Sequence, residues 1–183
     1  MWDLNTAEDH FAEEAGAHKE AGDHGKYINA TTGNGKLTYV QVDKTNNAGT
    51  TIYRKYGTGD VMAYGAWEGD YFLFEANSDT DIPANTQVSI SFYIRGSNKT
   101  ALRDWTLEYY DNGTWKTAIE MFTMTSSAQE AAATVTLTNA GKTAQFRLRC
   151  TSTVTIEGTK VESAPTVAAR IARANAITIK SVN

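Results

Sequence analysis

The stretch "VSISFYIR", residues 88–95, places Val88, Ile90, Phe92 and Ile94 at every second position, with Ser89, Ser91, Tyr93 and Arg95 between them. Side chains on an extended chain point alternately to opposite faces, so this rhythm describes a strand with one buried and one wet side; a helix would scatter it. The rhythm returns in Val135 and Leu137, in Phe146, Leu148 and Cys150, and in Ile177 and Ile179. It predicts strands over residues 27–30, 36–43, 50–56, 61–64, 70–76, 87–95, 103–110, 114–121, 133–138, 144–151 and 176–182. Turn clusters such as "TTGNG", "TNNAG", "GTGD", "GSN", "DNG" and "TNAG" separate them. Many short strands with Gly/Asn punctuation point to an all-β chain, an antiparallel β-sandwich or barrel. In "DYFLF", Tyr71 and Leu73 alternate with Phe72 and Phe74, so both faces are apolar, as in a strand that is central or covered by a loop. Only "APTVAARIARANA", residues 164–176, has helical composition in the later chain, and Pro165 keeps its start extended.

Charge divides the chain. Residues 1–25 hold seven acids and one base, a net of −6 that leaves +2 for the rest of a chain whose total is −4. This predicts an N-terminal acidic segment over 1–25, loose or a short helix, and a β-sandwich domain over 26–183. A near-neutral body without a Lys/Arg cluster lacks the electrostatic footprint of a nucleic-acid binder, and no nucleic-acid partner is expected. No apolar run reaches the roughly 18 residues that span a membrane as a helix. No secretory apolar region is present either, so an export signal would lie outside this sequence. The single cysteine, Cys150, excludes an internal disulfide and a thiolate metal cage, and its place on an inward strand face reads as inert packing.

"EYYDNGTWK", residues 108–116, is the strongest hairpin signal. With a two-residue Asn112-Gly113 loop, Tyr110 pairs with Trp115, and counting on sets Trp105 against Glu120. With a three-residue loop closed by Gly113 as a bulge, Tyr109 pairs with Trp115, Leu107 with Thr117, and Trp105 with Ile119. A one-residue slip flips every side chain, so the apolar pattern favours the three-residue loop and an inward Trp115. Glu108, Tyr110, Lys116 and Glu120 then point outward. Tyr93, Arg95, Arg147 and Arg149 join them if their strands share that sheet. Aromatic rings cover the apolar faces of sugars and planar charged groups bond hydroxyls bidentately, so this set suits carbohydrate. It equally describes a solvated face with cross-strand ion pairs, the commoner arrangement.

Other constellations are weaker. His10, Glu14 and His18 fall on one face if a helix forms, without a supporting scaffold for a metal. Asn77, Asp79 and Asp81 offer alternating oxygen ligands, but Ile82 and Val88 stand where an EF-hand needs Gly and Glu; a sandwich-type calcium site or a plain Asx-rich turn remains. Glu68 and Asp70 in "WEGDYFL" resemble the first two carboxylates of a laminarinase-like Glu-x-Asp-x-x-Glu strand, but Leu73 fills the third place, which reads as a tight turn. Trp67 beside them is either a displayed aromatic or a lid over one end of the core. No histidine follows His24, which removes the usual base of nucleophilic hydrolases. "TTGNGK" lacks phosphate-loop spacing. Asn29, Asn98 and Asn112 sit in N-x-T sequons, which matter only on a eukaryotic secretory route.

The cadence "GDYFLF … VSISFYIRGS … DWTLEYYDNGTWK", within residues 65–118, resembles β-sandwich domains of secreted and surface proteins of Bacteroidetes, and galactose-binding-like and carbohydrate-binding-module domains. The resemblance implies a jelly roll, a secreted or outer-surface location and a glycan ligand, sometimes with a structural calcium ion. It covers about a third of the chain and carries no binding residue over. The leading expectation is a non-catalytic extracellular module for carbohydrate, with the candidate ligand-binding set Tyr93, Arg95, Glu108, Tyr110, Lys116, Glu120, Arg147, Arg149 and Trp67. The alternative is a structural or adhesion module with a protein partner, and a glycosidase comes third; the fold alone decides none of these.

Overall fold

The computed structural model of the chain describes residues 1, 27–42, 51–54, 60–165, 167–172 and 176–182. Twelve strands lie among them: β1 (Tyr27–Asn29), β2 (Asn34–Val40), β3 (Thr51–Arg54), β4 (Val61–Tyr64), β5 (Tyr71–Asn77), β6 (Thr86–Gly96), β7 (Asp104–Asp111), β8 (Thr114–Thr123), β9 (Gln129–Leu137), β10 (Thr143–Cys150), β11 (Ala168–Ala172) and β12 (Thr178–Val182). No helix occurs among the described residues. The acidic segment over 1–25 lies, Met1 apart, outside them, and with it His10, Glu14 and His18.

The strands form two antiparallel sheets. The first runs β1-β2-β5-β10-β7-β8. In the second, β6 is bordered along residues 86–94 by β9. Its other edge is shared by β12, against residues 87–91, and β11, against residues 93–96. Strands β4 and β3 continue beyond β11. An 11-residue strand such as β6 can serve three neighbours because the two on one edge divide its length.

The period-two pattern does what it dictates. Val88, Ile90, Phe92 and Ile94 of the second sheet and Leu37, Phe72, Phe74, Leu107, Phe146 and Leu148 of the first are buried in one core. Phe74 stacks on Phe92 across the two layers, with centroids 4.9 Å apart. Each large apolar side chain removed from water contributes about 1.5–3 kcal/mol. Strand β5, apolar on both faces, lies inside the first sheet between β2 and β10, with Phe72 and Phe74 turned to the core and Tyr71 and Leu73 half-buried on the other side. Cys150 is fully buried, as packing requires.

Two expectations are corrected. The stretch of helical composition holds β11 instead, set between β6 and β4. In Ala169-Arg170-Ile171 the alternation outweighs alanine's helix propensity: Ala169 and Ile171 are buried in the core, while Arg170 reaches Asp60. The β7–β8 hairpin closes on the two-residue loop, with Tyr110 opposite Trp115 and Asp111 opposite Thr114. Asn112 and Gly113 have φ of 50° and 80°, the left-handed pair whose twist matches a tight hairpin. The apolar pattern is rescued farther along. Register shifts between Glu108 and Leu107 and between Leu107 and Trp105 set Leu107 against Ile119 and Trp105 against Phe122. Trp105 is thus in the core, but Trp115 is not; it lies half-buried on the outer face.

Candidate functional site

The registers of five neighbouring strands line up three rungs across the outer face of the first sheet. One runs Val40, Tyr71, Arg149, Thr106. The next runs Thr38, Leu73, Arg147, Glu108, Thr117, and the third Lys36, Glu75, Gln145, Tyr110, Trp115. Strands sit about 4.8 Å apart, so five of them present a platform roughly 20 Å across.

Glu108 is the polar centre. Its Oε2 accepts from Arg147 Nε at 2.6 Å and from Arg149 Nε at 3.1 Å, and its Oε1 accepts from Arg149 Nη2 at 3.3 Å. Burial pushes its carboxyl up, but the hydrogen bonds and charges of Arg149 and Arg147 outweigh this and hold it below the usual range. The Arg147 guanidinium lies 4.3 Å from the Trp115 ring centroid and 5.3 Å from that of Tyr71. Such cation–ring contacts are worth about 0.5–2 kcal/mol. Tyr110 meets Trp115 edge-on, with centroids at 5.3 Å. Beside them Gln145 Nε2 donates to Glu75 Oε1 at 3.0 Å. Rings and a fixed ionic centre therefore share one sheet face.

Of the residues expected from sequence, Glu108, Tyr110, Arg147 and Arg149 come together here. Tyr93 and Arg95 do not: β6 belongs to the second sheet, where Arg95 Nη2 binds Asp60 Oδ2 at 2.7 Å. Trp67 is no displayed ring. It is buried with the core at 9% exposure, and its main-chain N–H donates to Asp70 Oδ2. That carboxylate also accepts from Tyr39 Oη and the Val42 N–H, which closes the turn read at Gly69, whose φ is 95°. Lys116 pairs with Tyr109, so it leaves the Trp115 side and binds Asp111 Oδ2 at 2.7 Å. Glu120 is exposed on edge strand β8, where its carbonyl accepts from Thr106 Oγ1. Asn77 Oδ1 accepts from Thr143 Oγ1, and Asp79 and Asp81 are exposed. Among the described residues no group of three His, Cys, Asp or Glu side chains is placed to hold a metal ion.

Sequence reasoning missed Tyr71 and Trp115 as members of this face. The signal for Trp115 was present in Asn112-Gly113, the dipeptide of a two-residue hairpin; the misreading came from counting the ladder without bulges. For Tyr71 the doubly apolar "DYFLF" already required either Tyr71 and Leu73 or Phe72 and Phe74 to face outward.

No protein-family model and no curated protein matches the chain. Among solved structures it is similar to the CBM22-1 xylan-binding domain from Paenibacillus barcinonensis Xyn10C. The TM-score is 0.53 at 14% identity over 90% of this chain and 98% of that one. It is also similar to the N-terminal CBM22-1-CBM22-2 tandem domain of the same Xyn10C, with a TM-score of 0.51 at 14% identity over 91% of this chain and 48% of that one. The shared fold is the antiparallel β-sandwich. No helix among the described residues is long and apolar enough to cross a membrane.

Proposed function

We propose that this protein is a non-catalytic carbohydrate-binding module, placed outside the cell, that receives a glycan chain on the outer face of its first sheet. The observation that carries this reading is the set of Tyr71, Arg147, Trp115 and Tyr110 on one face, with Glu108, itself gripped by Arg149, fixing Arg147. Rings supply apolar area for the axial C–H surface of pyranose units, and the guanidinium and amide groups supply bonds to hydroxyls. The sandwich it resembles belongs to a xylan-binding domain, which favours a polysaccharide over a small sugar.

Hydrolysis is disfavoured by the chemistry of the same face. A glycosidase needs one carboxyl that holds a proton and a second nearby. Glu108 has both oxygens engaged by arginines and its carboxyl is held ionised. A glycan array probed with the purified protein tests the function. Binding to a polysaccharide that weakens in Trp115→Ala and Tyr71→Ala supports it. No glycan bound, or binding indifferent to both changes, would move the function to a protein-binding module.

A further inference from the structure

We propose that this face selects acidic glycans, with the guanidinium of Arg147 taking the carboxylate of a uronic-acid unit; the inference rests on the carbohydrate reading above. Arg147 has five N–H donors, and among the described residues only Nε is used, on Glu108 Oε2. Its two terminal nitrogens have no hydrogen-bond partner among the described residues, and the side chain keeps 19% of its exposure. Arg149 differs: it commits Nε and Nη2 to Glu108, which leaves it one terminal nitrogen. Arg147 is therefore the guanidinium that keeps both terminal nitrogens for a two-oxygen ligand.

Three features make that edge fit an anion better than a hydroxyl. Arg147 packs against the Tyr71 and Trp115 rings and is anchored by Glu108, so little rotamer freedom is left to lose on binding. Within the trio, two arginines grip a single carboxylate, a net charge of +1; Lys36 and Glu75, opposite one another on the neighbouring rung, cancel. The planar fork matches two carboxylate oxygens, and charge-assisted bonds of this kind are about twice as strong as neutral ones. The rings beside it serve the sugar that carries the carboxylate.

The test is binding by isothermal titration calorimetry to two acidic polymers, a glucuronoxylan and a polygalacturonate, each compared with the same polymer after reduction of its carboxylates to alcohols. Reduction weakens binding of at least one by tenfold or more at low salt, and the difference shrinks at high salt. In Arg147→Gln the acidic and reduced forms bind alike, whereas Arg95→Gln, on the other sheet, retains the preference. Affinity for a reduced or neutral polymer equal to or above that for both acidic ones overturns the inference and leaves the carbohydrate reading standing. No binding to any of these polymers by a protein that binds another glycan on the array overturns the inference alone; no binding on the array as well overturns both.

Discussion

Arg147 and Trp115 touch across an intervening strand: the guanidinium carbon lies 4.3 Å from the indole centroid, although β7 separates β10 from β8. Strands two places apart are about 10 Å from one another, so only long side chains leaning the same way bridge them. The contact ties the hairpin tip to the sheet interior and makes one surface of residues far apart in sequence.

Trp115→Ala removes a ring that packs on the outer face rather than in the core. It is expected to lower glycan affinity by about tenfold or more, the equivalent of about 1.4 kcal/mol, with a stability loss of about 1 kcal/mol or less. Trp105→Ala, fully buried with its Nε1 donating to the Leu102 carbonyl, is expected to cost about 3–5 kcal/mol. Urea unfolding of both variants separates the two roles.

Asp111 joins the hairpin to the β9–β10 turn. Its buried carboxylate accepts from the Thr138 and Asn139 N–H groups, Thr138 Oγ1 and Lys116 Nζ. Burial raises its pKa, and these donors, Asn139 first, more than reverse that, to well below the usual value. Glu108 is also held low. A carboxyl depressed in the folded state binds protons more readily when unfolded. Its contribution is therefore whole above about pH 4 and is lost as pH falls toward the folded value. Asp111→Asn is expected to lower stability at pH 7 by about 2–4 kcal/mol and to flatten the acid limb of a stability profile.

Burial pushes the Cys150 thiol up to about 12, and its Sγ donates to the Ser152 carbonyl at 3.5 Å. The thiolate that reacts is absent at pH 8. A disulfide reagent should label the protein only at the rate of unfolding; immediate labelling of the native protein would show the site to be open.

Gly113 has φ of 80° and open space where a Cβ would stand, so Gly113→Ala tests backbone conformation alone. The expected cost is about 1 kcal/mol. A larger affinity loss than stability loss would show that the turn also aims Trp115.

The alternation in "VSISFYIR" made β6 and its core face legible, because an 11-residue strand leaves no other way to bury four large groups together. Glu108, Tyr110, Arg147 and Arg149 were legible as outward residues for the same reason. The sheet partner of Tyr93 and Arg95 was not, since alternation states which way a residue points and never which strand lies alongside. The bulges that turn Trp115 out while keeping Trp105 in were hidden too: they are choices of pairing between strands, with no residue type that marks them. β11 escaped because alanine carries so little period-two contrast.

The most direct test is an NMR titration of the isotopically labelled protein with a glycan found on the array, following backbone amides and the Trp indole N–H signals. Perturbations should concentrate on Tyr71, Glu108, Tyr110, Trp115, Arg147 and Arg149, with the Trp115 indole among the largest shifts and the Trp105 indole nearly still. Shifts confined to the second sheet around Arg95 and Arg170, or to loops away from β5, β7, β8 and β10, would contradict a binding face built on the first sheet.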